Sequence, residues 1–225
     1  MSRSKRYIEI AKLVDSRKIY PLEEAVALVK KTSNSKFDAS IDVAIKLNLD
    51  TTKAEQQLRG TIALPHYFGK QLKILVIADT LTDSQAKDLG IDYYGGVDRI
   101  NEIKGGWLDF DLIITTAKFM PELSKLGKIL GPKGLMPNPK LGTVTADVAK
   151  TVAEFRKGKS NYRTDTYGNI HMKIGKASAT DKQIIENYNT LVDFIKSKRP
   201  STVKGDYVQN ITISSAMGPS IKVAF

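Results

Sequence analysis

The chain has 225 residues, 41% hydrophobic and 26% charged, and its 35 Lys and Arg outweigh 24 Asp and Glu to leave +11 at pH 7. That length supports one large core or two small ones. The charge predicts an anionic partner, nucleic acid ahead of membrane, because the basic residues run through folded-looking segments instead of gathering on one amphipathic helix. With no cysteine there is no disulfide and no thiolate metal site. His66 and His171 are the only histidines and lack the i, i+4 spacing of a zinc helix, so no metal and no cofactor are expected. No apolar run is long enough for a bilayer, and Glu9 interrupts the stretch after Lys5-Arg6 that a signal peptide would need; a cytoplasmic protein is expected.

From the N-terminus, Leu22, Val26 and Val29 share one face of a predicted helix over residues 21–31, with Pro21 near its start. Ile41, Val43, Ile45, Leu47 and Leu49 then alternate with polar or small residues, the period of a half-buried strand. A second strand is predicted over residues 60–64, ended by Pro65. From Leu72 to Ala78 the pattern changes to a nearly continuous apolar run, typical of a strand covered on both faces. A helix over 83–89 follows, capped by Thr82 or Asp83 and stopped by Gly90, then a helix over 97–104 and a second apolar run over 112–116. A helix over 146–156, ending at Gly158, closes this middle stretch.

Beyond Lys159 the two-residue period returns, with short strands near Tyr162 and over 170–174 joined by Thr166-Tyr167-Gly168-Asn169. A long helix over 181–198 has the stripe Ile184, Tyr188, Leu191 and Ile195, a Thr180 cap and Pro200 beyond it. Strands over 207–214 and 220–225 flank Met217-Gly218-Pro219. The middle therefore differs in kind from both ends. The fold class expected is an α+β discontinuous domain, an antiparallel sheet with helices on one face, built from residues 1–66 plus 159–225. An inserted α/β Rossmann-like three-layer domain would occupy 67–158. The two crossings, near 66–70 and 157–160, would act as a glycine-containing hinge.

The most unusual stretch is Gly127 to Gly142, too rich in glycine and proline for a helix or central strand and free of Asp or Glu from Glu122 to Asp147. A basic loop with free amides suits phosphate contact, against the alternative of a plain connector. Inside it, Gly131-Pro132-Lys133-Gly134 imitates a KH-type clamp, but Leu135-Met136-Pro137-Asn138-Pro139 cannot begin the second helix such a clamp needs. Gly158-Lys159-Ser160 imitates the end of a P-loop, yet Ala153 stands where the first glycine is required, so nucleotide hydrolysis is not expected. Asp109 and Asp111 flank an apolar run and read as a solvated strand entrance, and His171 as a packed or surface imidazole. No enzyme constellation emerges. Phe37 could pack in the core or stack on a ribose or base, with core packing favoured on the residues alone; the 214–219 turn could be a plain hairpin or a place where RNA backbone approaches closely.

Taken together and in order, Lys36-Phe37-Asp38, Arg59-Gly60-Thr61, Leu64-Pro65-His66, Gly105-Gly106-Trp107-Leu108-Asp109-Phe110-Asp111, Leu126 to Pro139, Gly175-Lys176-Ala177-Ser178 and Met217-Gly218-Pro219 resemble the L-one family of bacterial large-subunit ribosomal proteins. The resemblance implies a non-enzymatic, ribosome-associated protein whose discontinuous domain grips the mobile 23S rRNA stalk. It also implies exit-site tRNA and the protein's own operon messenger RNA, which it represses, as partners, and no obligate homo-oligomer. Carried over by position, the RNA surface comprises Phe37, Ser40, Ala216, Met217 and Gly218, with Lys5, Arg6 and Lys36 as phosphate contacts. Lys128, Lys133 and Lys140 are candidate second-domain RNA or tRNA contacts. The family usually has threonine at Ser40 and at Ala216; serine keeps the hydroxyl and alanine does not, which predicts weaker RNA binding unless Asn210 or Ser215 compensates. The rival readings are a nucleotide-using enzyme built on the middle domain and a basic scaffold without a defined site.

Overall fold

The computed structural model describes residues 4–79 and 89–225. Their contacts divide into two compact units, Met1–Phe68 with Asn161–Phe225 and, separately, Gly69–Ser160. The mixture of helices and sheets expected from the sequence is present.

In the first unit the central strand is β2 (Ser40–Leu47), whose residues alternate between half-exposed and buried along its whole length. Ile41, Val43, Ile45 and Leu47 point into the core; Asp42, Ala44 and Lys46 point away. β8 (Asn169–Lys176) and β9 (Val208–Ser215) pair with it antiparallel, one on each side. β10 (Ser220–Val223) continues the sheet beyond β9, and β1 (Ile19–Tyr20) joins the edge in parallel. The helices Leu22–Thr32 and Asp181–Ser197 bury Val26, Val29, Ile184, Leu191 and Ile195 in the same apolar cluster as the inward strand residues. Each large side chain buried there contributes roughly 1.5–3 kcal/mol. Thr180 and Gln183 form a reciprocal cap at the start of the long helix. A separate two-stranded sheet pairs β3 (Arg59–Ala63) with β7 (Lys159–Arg163).

One polar residue of the long helix breaks its apolar stripe. Asn187 is fully buried, and its amide donates to the carbonyls of Ile174, at 2.7 Å, and His66, at 2.8 Å, while its oxygen accepts from the His66 N–H at 3.0 Å. A buried amide is tolerated there because its hydrogen-bonding capacity is used.

The second unit is built differently. β4 (Ile74–Ile77) lies between β5 (Tyr93–Gly95) and β6 (Leu112–Thr115) in a parallel sheet, and all four of its residues are buried. Leu75, Ile77 and Ile113 pack in one cluster with Ile100, Ile103 and Leu123; Ile74, Val76 and Ile114 pack in another with Val148, Val152 and Phe155. Both faces of the sheet are covered, which is why the sequence shows runs instead of alternation.

Several elements escape the sequence pattern, among them β1, β5, the helix Lys5–Ala11 and the short helix Met120–Lys125. β1 and β5 have two and three residues, too short to display a period. The helix Lys5–Ala11, capped by Ser4, buries only Ile10 and so has no stripe. The helix predicted over 83–89 lies, apart from Leu89, outside the described residues. Among those described, no helix is long and apolar enough to cross a membrane, and no three potential ligands gather to hold a metal.

Candidate nucleic-acid interface

β2 begins where β8 and β9 end, and this end of the five-stranded sheet collects most of the candidate residues. Ser40 pairs with Lys176 of β8, and its carbonyl accepts from the Ala216 N–H at 3.0 Å; the Ala39 carbonyl accepts from the Ala177 N–H at 2.8 Å. The segment entering β2 is thus held between the turn after β8 and the turn after β9. The N-terminal helix joins it through Arg6, whose Nη1 donates to the Asn34 carbonyl at 3.1 Å. Arg6, Ser33, Asn34, Ala39, Ser215 and Met217 meet there in a tight seam with no room for a water-sized molecule.

Two apolar side chains stand out at this end. Phe37 is 54% exposed and Met217 57% exposed. The core-packing role favoured for Phe37 is therefore corrected: Phe37 precedes the first residue of β2 and lies in a loop that turns it outward. That loop is not loose. Ser35 Oγ donates to the Phe37 carbonyl at 2.8 Å, and Asp38 accepts from the Ser178 N–H at 3.1 Å and from Ser178 Oγ at 2.8 Å. Lys176 Nζ lies 3.6 Å from the same carboxylate. The hydroxyl of Ser178 is the main reason the Asp38 carboxyl sits below its ordinary range; desolvation opposes it, and the Ser178 amide and Lys176 assist.

Opposite, the residues Ser215 to Gly218 close a tight turn in which the Gly218 N–H donates to the Ser215 carbonyl at 3.0 Å. A Cβ at Gly218 would meet Ser215 Oγ at 2.2 Å, so a larger residue there would force the buried Ser215 hydroxyl to move; no unusual φ is involved. Ser215 Oγ is buried without a hydrogen-bond partner. Because it points inward, and because Asn210 pairs with Lys46 six residues farther along β9, neither replaces a hydroxyl at the exposed Ala216.

Lys5, Arg6 and Lys36 are exposed and, among the described residues, have no carboxylate within salt-bridge distance. The sheet end therefore offers exposed cations beside two exposed apolar side chains and a tight turn of small residues. That combination suits RNA, with cations for phosphate, Phe37 for stacking and exposed main chain for close approach. Asp38, Lys176 and Ser178 were missed as site residues, although Gly175-Lys176-Ala177-Ser178 stood out as a motif.

Lys128, Lys133 and Lys140 belong to the other unit. All three are exposed. Their loop contains a one-turn helix, Gly127–Leu130, which the glycine and proline content had argued against; Leu126 and Leu130 bury themselves in the core and outweigh the poor helix propensity of Gly127. Beyond it the loop is ordered by its own bonds: the Asn138 N–H donates to Thr143 Oγ1 at 2.8 Å, and Asn138 Oδ1 accepts from the Lys140 N–H at 2.8 Å. Gly142, at φ 66°, ends this turn in the left-handed region. Lys159 pairs with Glu154 at 2.7 Å and begins β7, so it forms no phosphate loop. Asp109 and Asp111 both face Lys73, and each carboxyl sits below its ordinary range: Asp109 chiefly through the Lys73 side chain, Asp111 chiefly through its amide. Neither is a raised carboxyl suited to acid catalysis.

Residues 29–219 match the model of the ribosomal protein L1p/L10e family. The chain belongs to that family. The resemblance seen in its motifs is borne out, and the family is one of ribosomal proteins, not enzymes. Among relatives, the large ribosomal subunit protein uL1 of Mycoplasmoides gallisepticum is 61% identical over 209 residues, covering 93% of this chain and 92% of the relative. The uL1 protein of Mycoplasma pneumoniae is 58% identical, with 94% and 92% covered, and that of Mycoplasma genitalium 54% identical, with 98% and 96% covered. The family match spans Lys36 through Gly218; Lys5 and Arg6 precede it.

Proposed function

We propose that this chain is a cytoplasmic component of the large ribosomal subunit that binds 23S rRNA at the mobile stalk through the end of the five-stranded sheet. Phe37 and Met217 provide fixed apolar contact, Ser40, Ala216 and Gly218 the close main-chain approach, and Lys5, Arg6 and Lys36 the phosphate contacts. The observation that carries this reading is the exposure of Phe37 and Met217 beside a hydrogen-bonded loop and turn, flanked by cations that have no carboxylate within salt-bridge distance among the described residues. The protein assists release of exit-site tRNA, with Lys128, Lys133 and Lys140 contacting that tRNA or the stalk. It represses its own operon by binding a messenger RNA structure that imitates the ribosomal site.

In this reading the RNA-binding domain comprises residues 1–66 and 159–225, and 67–158 form an inserted Rossmann-like domain. Competition binding at fixed salt tests the assignment. A stem-loop taken from the 23S stalk should displace bound label at a concentration at least about tenfold lower than mixed-sequence RNA duplex, since specificity ratios well above that are usual for defined sites. Equal displacement would leave only a general basic scaffold, and saturable nucleotide binding by the chain would favour an enzyme.

A further inference from the structure

A fixed carboxylate in a surface meant for RNA needs a reason. Asp38 follows Lys36 and Phe37 directly, is exposed, and is fastened by two bonds from Ser178, at 3.1 and 2.8 Å, with Lys176 at 3.6 Å. Bonds that favour the ionised form keep it charged at any pH where the protein works. Its location among exposed lysines means that it repels phosphate where its neighbours attract it, and it takes part of the charge of Lys176 out of play. Phosphate contacts give affinity without sequence information, whereas specificity is a difference between affinities that a repulsive group can enlarge.

Resting on the RNA-binding reading above, we propose that Asp38 is a specificity-determining residue. Its carboxylate ties the Phe37 loop to Ser178 in the shape the target requires, and it penalises any RNA whose backbone would cross that loop. The target stem is tolerated because it places its phosphates on Lys5, Arg6 and Lys36 and leaves the space over Asp38 free of them. An arbitrary duplex has no such arrangement and meets the charge.

The experiment uses the full chain, with a 23S stalk stem-loop and a mixed-sequence RNA duplex measured at the same salt. Asp38→Asn is isosteric at an exposed position; it should tighten the duplex by about twofold, the scale of one screened unit charge, and should leave the stem-loop unchanged or weaker. Ser178→Ala keeps the charge and the amide bond to Asp38 but removes the hydroxyl half of the tie, so it should weaken the stem-loop and leave the duplex unchanged. Asp206→Asn, an equal charge removal elsewhere on the same unit, should shift both RNAs by one factor. Asp38→Asn changing both RNAs by one factor, in either direction, overturns the inference, as does Ser178→Ala doing the same. A wild-type chain without preference overturns the stalk-binding reading first and this inference with it, and that outcome is visible before any variant is made.

Discussion

The five-stranded and the three-stranded sheet of this protein solve the same problem in opposite ways. In the first unit β2 keeps one row of side chains dry and the other half-exposed, so one face of the sheet keeps some contact with solvent. In the second unit β4 is buried on both faces between two apolar clusters, while β5 at the sheet's edge stays half-exposed. Charge follows the same division. The first unit holds 21 Lys and Arg against 13 Asp and Glu, +8, and the second 14 against 11, +3. A half-wet sheet can place binding residues on its rigid strand ends, whereas a doubly covered one must place them on loops. In the proposed reading Ser40, the first residue of β2, with Phe37 and Met217 in the segments that adjoin the strand ends, represents the first arrangement, and Lys128, Lys133 and Lys140 the second.

The sharpest way to break this comparison is to put a charge in each sheet. Val76→Lys buries an unpaired ammonium in β4 and should destabilise the second unit by more than about 4 kcal/mol, while Ala44→Lys on the wet row of β2 should cost less than about 1 kcal/mol. Urea unfolding measures both, and similar losses would mean the wet row is in truth covered. Next in size is Asn187→Leu, which leaves the Ile174 carbonyl and the His66 main chain without their partner; a loss of about 2–3 kcal/mol is expected by the same method.

Binding effects are of similar or smaller size. Phe37→Ala and Met217→Ala should each weaken 23S stalk RNA by about 10- to 100-fold, or roughly 1–3 kcal/mol, whereas Lys133→Ala should cost no more than about threefold. Ala216→Thr should tighten the same RNA by about fivefold, since neither Asn210 nor Ser215 offers the missing hydroxyl outward. No tightening in a titration would mean that the RNA has no partner for it.

The smallest effect concerns acid. Burial alone would raise the Asp165 carboxyl, but bonds from Asn169, the Tyr167 amide and His171 outweigh it and hold it at about 2. Because the folded value lies below the ordinary 3.8, this stabilisation is complete above about pH 4 and is lost as pH falls towards 2. Asp165→Asn should therefore cost under about 1 kcal/mol at pH 7, after allowance for its solvent exposure, and nothing near pH 2. A difference that persisted at pH 2 would assign the effect to the turn's shape and not to charge.

How far the sequence could be read follows from the same contrast. The alternation in β2 and the unbroken run in β4 are direct images of one-sided and two-sided burial, so both strands could be predicted within a few residues. β1, β5 and the Lys5–Ala11 helix could not, because two strand residues, three strand residues or one buried helical residue leave no period. At the site, Phe37 could be located but its direction could not, since the loop that turns it outward depends on Ser178, 140 residues away from Asp38 in the chain. The Gly218 requirement was similarly hidden: it comes from Ser215 Oγ and not from a backbone angle that a turn motif would advertise.

The end of the five-stranded sheet is the proposed place where RNA is discriminated. The most direct measurement compares two variants of the full chain, Phe37→Ala with Met217→Ala in one and Lys128, Lys133 and Lys140 all changed to alanine in the other. Each is tested for preference between the stalk stem-loop and mixed duplex at one salt concentration. The first variant should lose the preference while the second keeps it with modestly lower affinity for both RNAs; the reverse pattern would contradict the account.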